Sequence, residues 1–287
     1  MHLFCFGLGY SALALARLVA AEGWAVSGTC RSTETAAGLH QLGFSAELFD
    51  RDHPLPADAL REVTHVLVSA PPDDTADPVL ARHADDIAAL PGLSWLGYLS
   101  TTGVYGDRGG GWVDETAVLA PTGERGRRRV LAETDWLDLW RRRRTPVHIF
   151  RLAAIYGPGR SPFAALRAGA AKRVDKPGQV FSRIHVEDLA LVLCASMARP
   201  RPGAVYNVCD DDPAPPEAVV AYAAKLLGVK APPLVALDQS GLSAMARSFY
   251  DDNKRVRNAL IKRELGVALR YPDYRAGLAA ILAAETG

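Results

Sequence analysis

A glycine-rich turn with the sequence Gly-Leu-Gly-Tyr-Ser-Ala occupies residues 7–12, between a predicted strand and a predicted helix. Gly7 permits the tight turn, Gly9 lets a pyrophosphate approach the backbone, and Ala12 keeps the helix close to the sheet. The motif alone is weak, but a second strand ending about 20 residues later supplies the required context. We therefore expect a dinucleotide site that includes Tyr10 and Ser11. The alternative is a structural turn without a ligand.

The end of the second predicted strand indicates which dinucleotide binds. Enzymes that use NAD usually place Asp or Glu there, to hold the ribose 2′-hydroxyl. No acidic residue occurs between Gly23 and Arg31. A guanidinium can bind a 2′-phosphate through two hydrogen bonds, and the neighbouring Ser32 can add another. We expect NADP rather than NAD. The alternative is that Arg31 is only a solvated surface residue.

Short apolar runs alternate with amphipathic stretches, a pattern typical of βαβ units and a parallel sheet. Right-handed crossovers would stack these units into one doubly wound α/β sheet of the Rossmann type. The predicted strands are residues 3–6, 25–30, 45–49, 65–69, 96–100 and 147–152. The predicted helices between them are 11–22, 33–42, 79–90 and 125–143.

The pattern of apolar and polar residues changes after residue 159. Helices are predicted over 162–171, 186–198, 217–227 and 274–284, with a strand over 204–208. This part is too short for a second full sheet, so we expect a small α/β lid domain beside the carboxyl edge of the sheet. The predicted boundaries are 1–158 with 181–209 for the Rossmann domain, and 159–180 with 210–287 for the lid.

Composition excludes several functional classes. A net charge of +1 over 287 residues provides no field for nucleic acid or anionic membranes. No apolar run reaches the roughly 18 residues of a membrane span, and the N-terminus lacks a basic leader, so we expect a cytoplasmic protein. The four cysteines stand far apart without metal-ligand spacing, which predicts reduced thiols and no metal site.

Four segments in order resemble the extended short-chain dehydrogenases, the NAD-dependent epimerase/dehydratase family. Residues 100–106, Ser-Thr-Thr-Gly-Val-Tyr-Gly, are similar to that family's S-[ST]-x-x-V-Y-G segment. Residues 151–159 are similar to its R-x-x-x-x-Y-G-P-G turn, 185–188 to its H-V-x-D segment and 206–208 to its Y-N-V strand. The resemblance covers nearly the whole chain, and residues 253–272 resemble a small branch with atypical active sites.

The resemblance implies positions for the cofactor and for one catalytic residue. Asp50 would lie near the adenine, and three residues after the fourth strand would line the ribose and pyrophosphate: Ser69, Ala70 and Pro71. Ala154 and Ile155 would flank the nicotinamide. Thr101 matches the catalytic Ser/Thr of the family, four residues before the tyrosine of V-Y-G.

The Y-x-x-x-K pair on which the family's chemistry rests is missing between residues 98 and 160. In the family the phenol exchanges a proton with a carbinol oxygen, and the lysine lowers its pKa and binds the nicotinamide ribose. Arg125 stands at the tyrosine position and Arg129 at the lysine position. A guanidinium stays protonated near neutral pH, so neither arginine replaces the acid/base. Arg125 can hold an anionic group of a small-molecule substrate, and Arg129 can donate to a ribose hydroxyl.

Two other residues are candidate proton donors. Tyr105 belongs to V-Y-G, where it is more often a packing residue, and His185 titrates in the useful range but is more often structural. The hypotheses are therefore an NADP-dependent oxidoreductase with an unusual proton donor, or a non-catalytic NADP-binding sensor. A third is an ordinary epimerase whose 125–129 segment is misaligned.

The arginine-rich helix over 125–143 also suggests contacts with other molecules. Interspersed acids and the lack of aromatic–basic alternation favour a solvated face over a nucleic-acid site. Trp136 and Trp140 lie four residues apart and are core or interface anchors. Because this helix often builds a dimer in the family, the resemblance implies a homodimer.

Overall fold

In the computed structural model, which describes residues 1–50, 52–56 and 58–286, a seven-stranded parallel sheet forms the centre. Its inner strands are mostly apolar because helices cover both faces, although β7 also contains the buried His148 and Arg151. All strands are numbered together in chain order, including those outside this sheet. The sheet consists of β1 (His2–Phe6), β2 (Ala25–Cys30), β3 (Ser45–Leu48), β4 (His65–Val68), β5 (Trp95–Thr101), β7 (Val147–Leu152) and β11 (Val205–Val208).

The strand order is β11-β7-β5-β4-β1-β2-β3, and every neighbouring pair is parallel. From β1 the chain builds outward through β2 and β3, then crosses to β4 and builds in the other direction. The reversal between β1 and β4 is the point at which α/β proteins of this topology bind dinucleotides. The fold class predicted from the sequence is confirmed.

Helices pack on the two faces of the sheet in separate hydrophobic clusters. One cluster contains α1, α2 and α6, and the other contains α3 and α4. The bounds of these helices are α1 (Tyr10–Ala21), α2 (Thr33–Gln41), α3 (Pro78–Ala88), α4 (Glu124–Arg143) and α6 (Val186–Ala198). None of the helices in the described residues is long and apolar enough to cross a membrane.

A third cluster lies outside the sheet and joins α5 (Phe163–Arg167), α7 (Pro216–Leu226) and α10 (Tyr274–Thr286). Three short parallel strand pairs connect the remaining segments. They are β8 (Ala154–Tyr156) with β10 (Arg183–His185), β9 (Arg173–Asp175) with β12 (Leu234–Ala236), and β6 (Trp112–Val113) with β13 (Arg255–Val256). The two remaining helices are α8 (Ala244–Ser248) and α9 (Ala259–Leu265). The division into two domains stays a prediction.

The bounds of the sheet strands agree with the sequence analysis to within one residue. The helix predicted over 162–171 was wrong in length, because α5 ends at Arg167 and Gly169 follows with φ of +65°. Such a backbone conformation terminates a helix, and glycine adopts it without a steric penalty. The strand pairs outside the sheet were missed, because strands of two or three residues are too short to show an alternating hydrophobic pattern.

A buried ion pair joins α4 to the centre of the sheet. The Arg151 guanidinium donates to Glu133 at 2.7 Å, and the two side chains are 6% and 3% exposed. Ser100 at the end of β5 donates to the same carboxylate at 2.5 Å. Arg151 also donates to the Tyr105 hydroxyl at 2.9 Å, so the pair has hydrogen-bonded neighbours on both sides. Breaking a pair of this kind leaves one buried charge without compensation.

Both tryptophans of α4 are packing residues of this chain. Trp136 is fully buried and donates from Nε1 to Asp77 at 3.3 Å. Trp140 packs so closely on Gly203 that a Cβ there would lie 2.4 Å from its ring. Trp136 is therefore a core residue, whereas Trp140 remains partly exposed. The homodimer stays a prediction.

We expect Arg151→Met to destabilise the protein by about 3–5 kcal/mol, because Glu133 would remain buried without its partner. Urea unfolding followed by circular dichroism measures this change. The matched control is Arg143→Met, which removes an exposed pair with Asp85 and should cost less than about 1 kcal/mol. Equal stabilities of the two variants would contradict the assignment.

Candidate active site

The turn after β1 is held in place by the neighbouring strands. Gly7 has φ of +87°, and its N–H donates to Thr29 Oγ1 at 2.8 Å. Its carbonyl accepts from Ser69 Oγ at 2.7 Å. Glycine is favoured here by the backbone conformation, and a Cβ on Gly7 would also make a tight contact, 3.1 Å from the backbone nitrogen of Ala70. These bonds fix the turn between β2 and β4.

Gly9 caps the N-terminus of α1 with an extended backbone, φ of −96° and ψ of −163°. A Cβ there would meet no atom of the described residues within 4 Å, so open space lies in front of Gly9. Ala12, one turn further, is fully buried against the sheet. The arrangement leaves the first N–H groups of α1 accessible to an anion, as a pyrophosphate site requires.

Arg160 is a cation beside this helix N-terminus that sequence analysis did not identify. Its guanidinium lies over the Tyr10 ring, 5.7 Å from the ring centroid. Tyr10 in turn donates from its hydroxyl to the carbonyl of Pro158 at 3.0 Å. The turn that follows β8 therefore places a positive charge beside the N-terminus of α1. The signal was Gly157-Pro158-Gly159 immediately before Arg160.

The residues predicted to contact the adenosine half lie beyond the ends of β2 and β3. Arg31 is exposed, and its side chain forms no hydrogen bond or ion pair within residues 1–50, 52–56 and 58–286. Ser32 caps α2 by accepting from the Thr35 N–H at 3.2 Å. Asp50 folds back on its own loop and accepts from the backbone N–H groups of Asp52 and His53. A hydrogen bond from the His53 ring, with these backbone donors, lowers the pKa of Asp50.

A cavity of about 710 Å³ opens at the carboxyl edge of the sheet. Eight of the residues predicted for the site line it: Tyr10, Ser11, Ser69, Thr101, Arg125, Arg129, Ala154 and Ile155. The far wall comes from the chain between α8 and β13, which sequence analysis did not assign to the site. Gly7, Gly9, Ala12, Arg31, Ser32, Asp50, Ala70, Pro71 and Tyr105 do not line the cavity.

Thr101 presents its side chain at the point where β5 ends. Its Oγ1 accepts from the Gly103 N–H at 3.1 Å and so caps the 3-10 turn of Thr102–Tyr105. The hydroxyl proton is not used by this bond and can be donated to a ligand. Thr101, Ala154 and Ile155 line one cavity, as the resemblance implies.

Tyr105 is a structural residue and not a wall of the cavity. It is fully buried, donates to Asn207 Oδ1 at 2.7 Å and accepts from Arg151 at 2.9 Å. Burial raises the pKa of its phenol despite the neighbouring guanidinium. Because its proton is already donated to Asn207 and its side chain does not line the cavity, we remove Tyr105 from the candidate proton donors.

The arginines at the tyrosine and lysine positions of the family motif have different surroundings. Arg125 is exposed at the cavity mouth, with its guanidinium 5.7 Å from the centroid of the Phe249 ring. Its N–H groups form no hydrogen bond within the described parts of the chain. Arg129 donates to the carbonyl of Leu99 and to the hydroxyl of Tyr98, at 3.3 Å for the latter. Arg129 therefore braces β5, whereas Arg125 is free to meet an anion.

His185 also lies outside the cavity lining. It is buried, and its Nδ1 accepts from the Glu187 N–H at 3.3 Å, which caps α6. Burial lowers the pKa of its ring to about 4, so the imidazole is neutral near pH 7. His185 is therefore better described as a structural residue than as a proton donor.

Three residues of the far wall were missed by the sequence analysis. Tyr250, Asp252 and Lys254 line the cavity, and Lys254 donates to Asp252 Oδ2 at 2.9 Å. Residues 250–254 carry the Y-x-x-x-K spacing, but they lie far beyond residues 98–160, where the family has its motif. They do not form a helix, so the phenol and the ammonium are not one helical turn apart as in the family motif.

The lining of the cavity is cationic. Arg125, Arg129, Arg160 and Lys254 contribute four positive side chains, against the single carboxylate of Asp252. The whole chain has a net charge of only +1. The excess of positive charge is therefore concentrated at this cavity, which favours anionic ligands.

The fold is that of nucleotide-sugar epimerases and dehydratases that bind NAD. The structure superimposes on dTDP-glucose 4,6-dehydratase from Bacillus anthracis str. Ames in complex with NAD with a TM-score of 0.81 and 18% identity, over 100% of this chain and 96% of that one. It also superimposes on UDP-glucuronic acid 4-epimerase from Bacillus cereus, in complex with UDP-glucuronic acid and NAD. The TM-score is 0.80 and the identity 15%, over 99% of this chain and 100% of that one.

Two other proteins are more similar to this chain in sequence, and neither has a stated activity. A functionally unknown conserved protein from Silicibacter pomeroyi DSS is 54% identical with a TM-score of 0.92, over 99% of this chain and 98% of that one. No profile of a protein family matches the sequence. The protein YeeZ of Escherichia coli K12 is 30% identical in an alignment of 280 positions that covers 93% of this chain and 95% of YeeZ. The chain therefore belongs to the family of the YeeZ protein.

Proposed function

We propose that this protein binds NADP and acts as an oxidoreductase of the epimerase/dehydratase type on a small anionic molecule. The observation that carries the proposal is the continuous cavity from the phosphate turn to Thr101 and Ala154. It brings an anion-binding helix N-terminus and a hydroxyl donor into one space. A nicotinamide dinucleotide bound there supplies hydride transfer.

The residues around the cavity fit a dinucleotide along its length. The α1 N-terminus, with Gly9, Ser11 and Arg160, would hold the pyrophosphate. Ser69, Ala70 and Pro71 would lie along the ribose, while Ala154 and Ile155 would flank the nicotinamide. Arg31 supports NADP over NAD, because its guanidinium has no partner among the described residues and lies just after β2, where a 2′-phosphate would lie.

The charge of the cavity supports an anionic substrate. Arg125 stands at the mouth, is not hydrogen-bonded within the described residues, and rests on the Phe249 ring. A carboxylate or phosphate can accept two parallel hydrogen bonds from such a guanidinium. The substrate-facing part of the site would lie in a small domain of residues 159–180 and 210–287.

A second candidate function is a non-catalytic NADP-binding sensor. The observation that favours it is the loss of the expected acid/base, since Arg125 holds the tyrosine position and Tyr105 is buried in its own hydrogen bonds. Turnover of NADPH with any substrate would distinguish the enzyme from the sensor. The homodimer implied by the resemblance remains part of either proposal.

We expect the protein to bind NADPH at least several-fold more tightly than NADH, because Arg31 can pair with the 2′-phosphate. Replacing Arg31 with Asp should reverse the order by removing the partner and adding repulsion. Fluorescence titration with each reduced cofactor measures both affinities. Equal affinities for NADPH and NADH in the unmodified protein would contradict the assignment.

Gly9→Val should abolish dinucleotide binding while the protein remains folded. A side chain at Gly9 enters the space expected for the pyrophosphate, yet it meets no atom of the described residues within 4 Å. Thermal unfolding provides the control for folding, and NADPH titration provides the readout. A folded variant that binds NADPH normally would show that the turn is not the phosphate site.

We expect little or no turnover of UDP-glucuronic acid or dTDP-glucose, even with cofactor bound. A positioned acid/base contributes about 10²–10⁴-fold to a rate, and Thr101 alone does not replace it. Product analysis by chromatography after prolonged incubation checks this expectation. Arg125→Ala should leave the NADPH affinity within about twofold of the original, since Arg125 faces the substrate side. Robust epimerisation by the unmodified protein would overturn the account.

A further inference from the structure

The chain between α8 and β13 passes across the start of α4. Thr122, just before α4, donates from its hydroxyl to Asp252 Oδ1 at 2.5 Å. Phe249 lies against the Arg125 guanidinium in the first turn of the same helix. Residues 249–254 therefore cover the position where the family motif places its tyrosine.

Lys254 is the one lysine in the lining of the cavity. Its Nζ donates to Asp252 Oδ2 at 2.9 Å, and the two side chains are only 10% and 18% exposed. An ammonium has three N–H donors, and Nζ forms no second hydrogen bond within the described residues. Leaving charged donors unsatisfied at such low exposure is costly, so ligand oxygens here would be bound favourably.

Hydrogen bonds place Lys254 on the side of the cavity formed by the start of α4, through Asp252 and Thr122, and by β8. The Val256 N–H, two residues on, donates to Ser182 Oγ at 3.1 Å, and the Ser182 carbonyl accepts from the Ala154 N–H at 3.2 Å. Lys254 is thus tied through Ser182 to β8, which follows β7. A dinucleotide centred on the reversal between β1 and β4 directs its adenosine half toward β2 and β3, and its nicotinamide half toward β5 and β7.

At the lysine position of the family motif, one guanidinium nitrogen of Arg129 is already used within the protein. Arg129 is held by the Leu99 carbonyl and the Tyr98 hydroxyl of β5. Asp252 is braced from the other side by Thr122, so its carboxylate keeps the Lys254 ammonium in one place. Asp252 is accordingly a positioning residue, and Lys254 is the group available to a ligand.

We infer that Lys254 binds the nicotinamide half of the dinucleotide by donating hydrogen bonds to its ribose oxygens. This inference rests on the proposed cofactor function. It assigns a direct contact with the cofactor to the C-terminal part of the chain. Because the adenosine half lies at the other end of the site, Lys254 should have no effect on its binding.

Isothermal titration of the full-length protein with NADPH and with adenosine 2′,5′-bisphosphate tests the inference. The second ligand has the 2′-phosphate and adenosine but no nicotinamide half. Lys254→Met should weaken NADPH binding on the order of ten- to a hundredfold, as the loss of a charged hydrogen bond predicts. Its affinity for the bisphosphate should stay within about twofold, whereas Arg31→Asp should weaken both ligands.

Lys262→Met is the matched control, because Lys262 pairs with Asp211 on the exposed surface of α9. It should bind both ligands as the unmodified protein does. Lys254→Arg keeps charge and donors and should recover part of the NADPH affinity, which also provides a second variant if Lys254→Met unfolds.

Two results would overturn the inference while leaving the proposed function intact. One is normal NADPH binding by folded Lys254→Met, and the other is an equal loss of both ligands. If the unmodified protein binds neither ligand, the proposed cofactor function itself fails, and the role of Lys254 falls with it. The titration of the unmodified protein therefore separates the two failures.

Discussion

The buried pair of Glu133 and Arg151 is the interaction on which the rest of the site depends. It joins α4 to β7, and through Ser100 and Tyr105 it also holds the end of β5 and the turn beyond it. A buried ion pair contributes little net stability, but it is expensive to break, so it restricts where α4 can lie. The position of α4 then determines where Arg125 and Arg129 meet the cavity.

Sequence reasoning succeeded where the physical signal is local. The strands of a parallel sheet are short apolar runs separated by amphipathic helices, and the phosphate turn needs glycines at fixed offsets from β1. Both signals are contained within about 30 residues of one βαβ unit. For this reason the sheet strands and the placement of Gly7, Gly9 and Ala12 could be predicted.

The far wall of the cavity was not predictable in the same way. Asp252 meets Thr122 across 130 residues of sequence, and β6 and β13 are only two residues long. Neither a hydrophobic periodicity nor a local sequence motif predicts such contacts. Tyr105 shows a related limit, because V-Y-G indicates a tyrosine near the site without indicating that Asn207 and Arg151 occupy its hydroxyl. Which polar groups are already satisfied depends on the whole fold.

The parallel pairing of β13 with β6 has a consequence for biosynthesis. Every strand of the central sheet lies before residue 209, whereas the chain that walls the cavity follows α8. A growing polypeptide can thus complete its sheet and expose the phosphate turn while the opposite side of the cavity has not yet been translated. The order of the chain itself delays assembly of the pocket, so an incomplete translation product would carry the scaffold without an enclosed site.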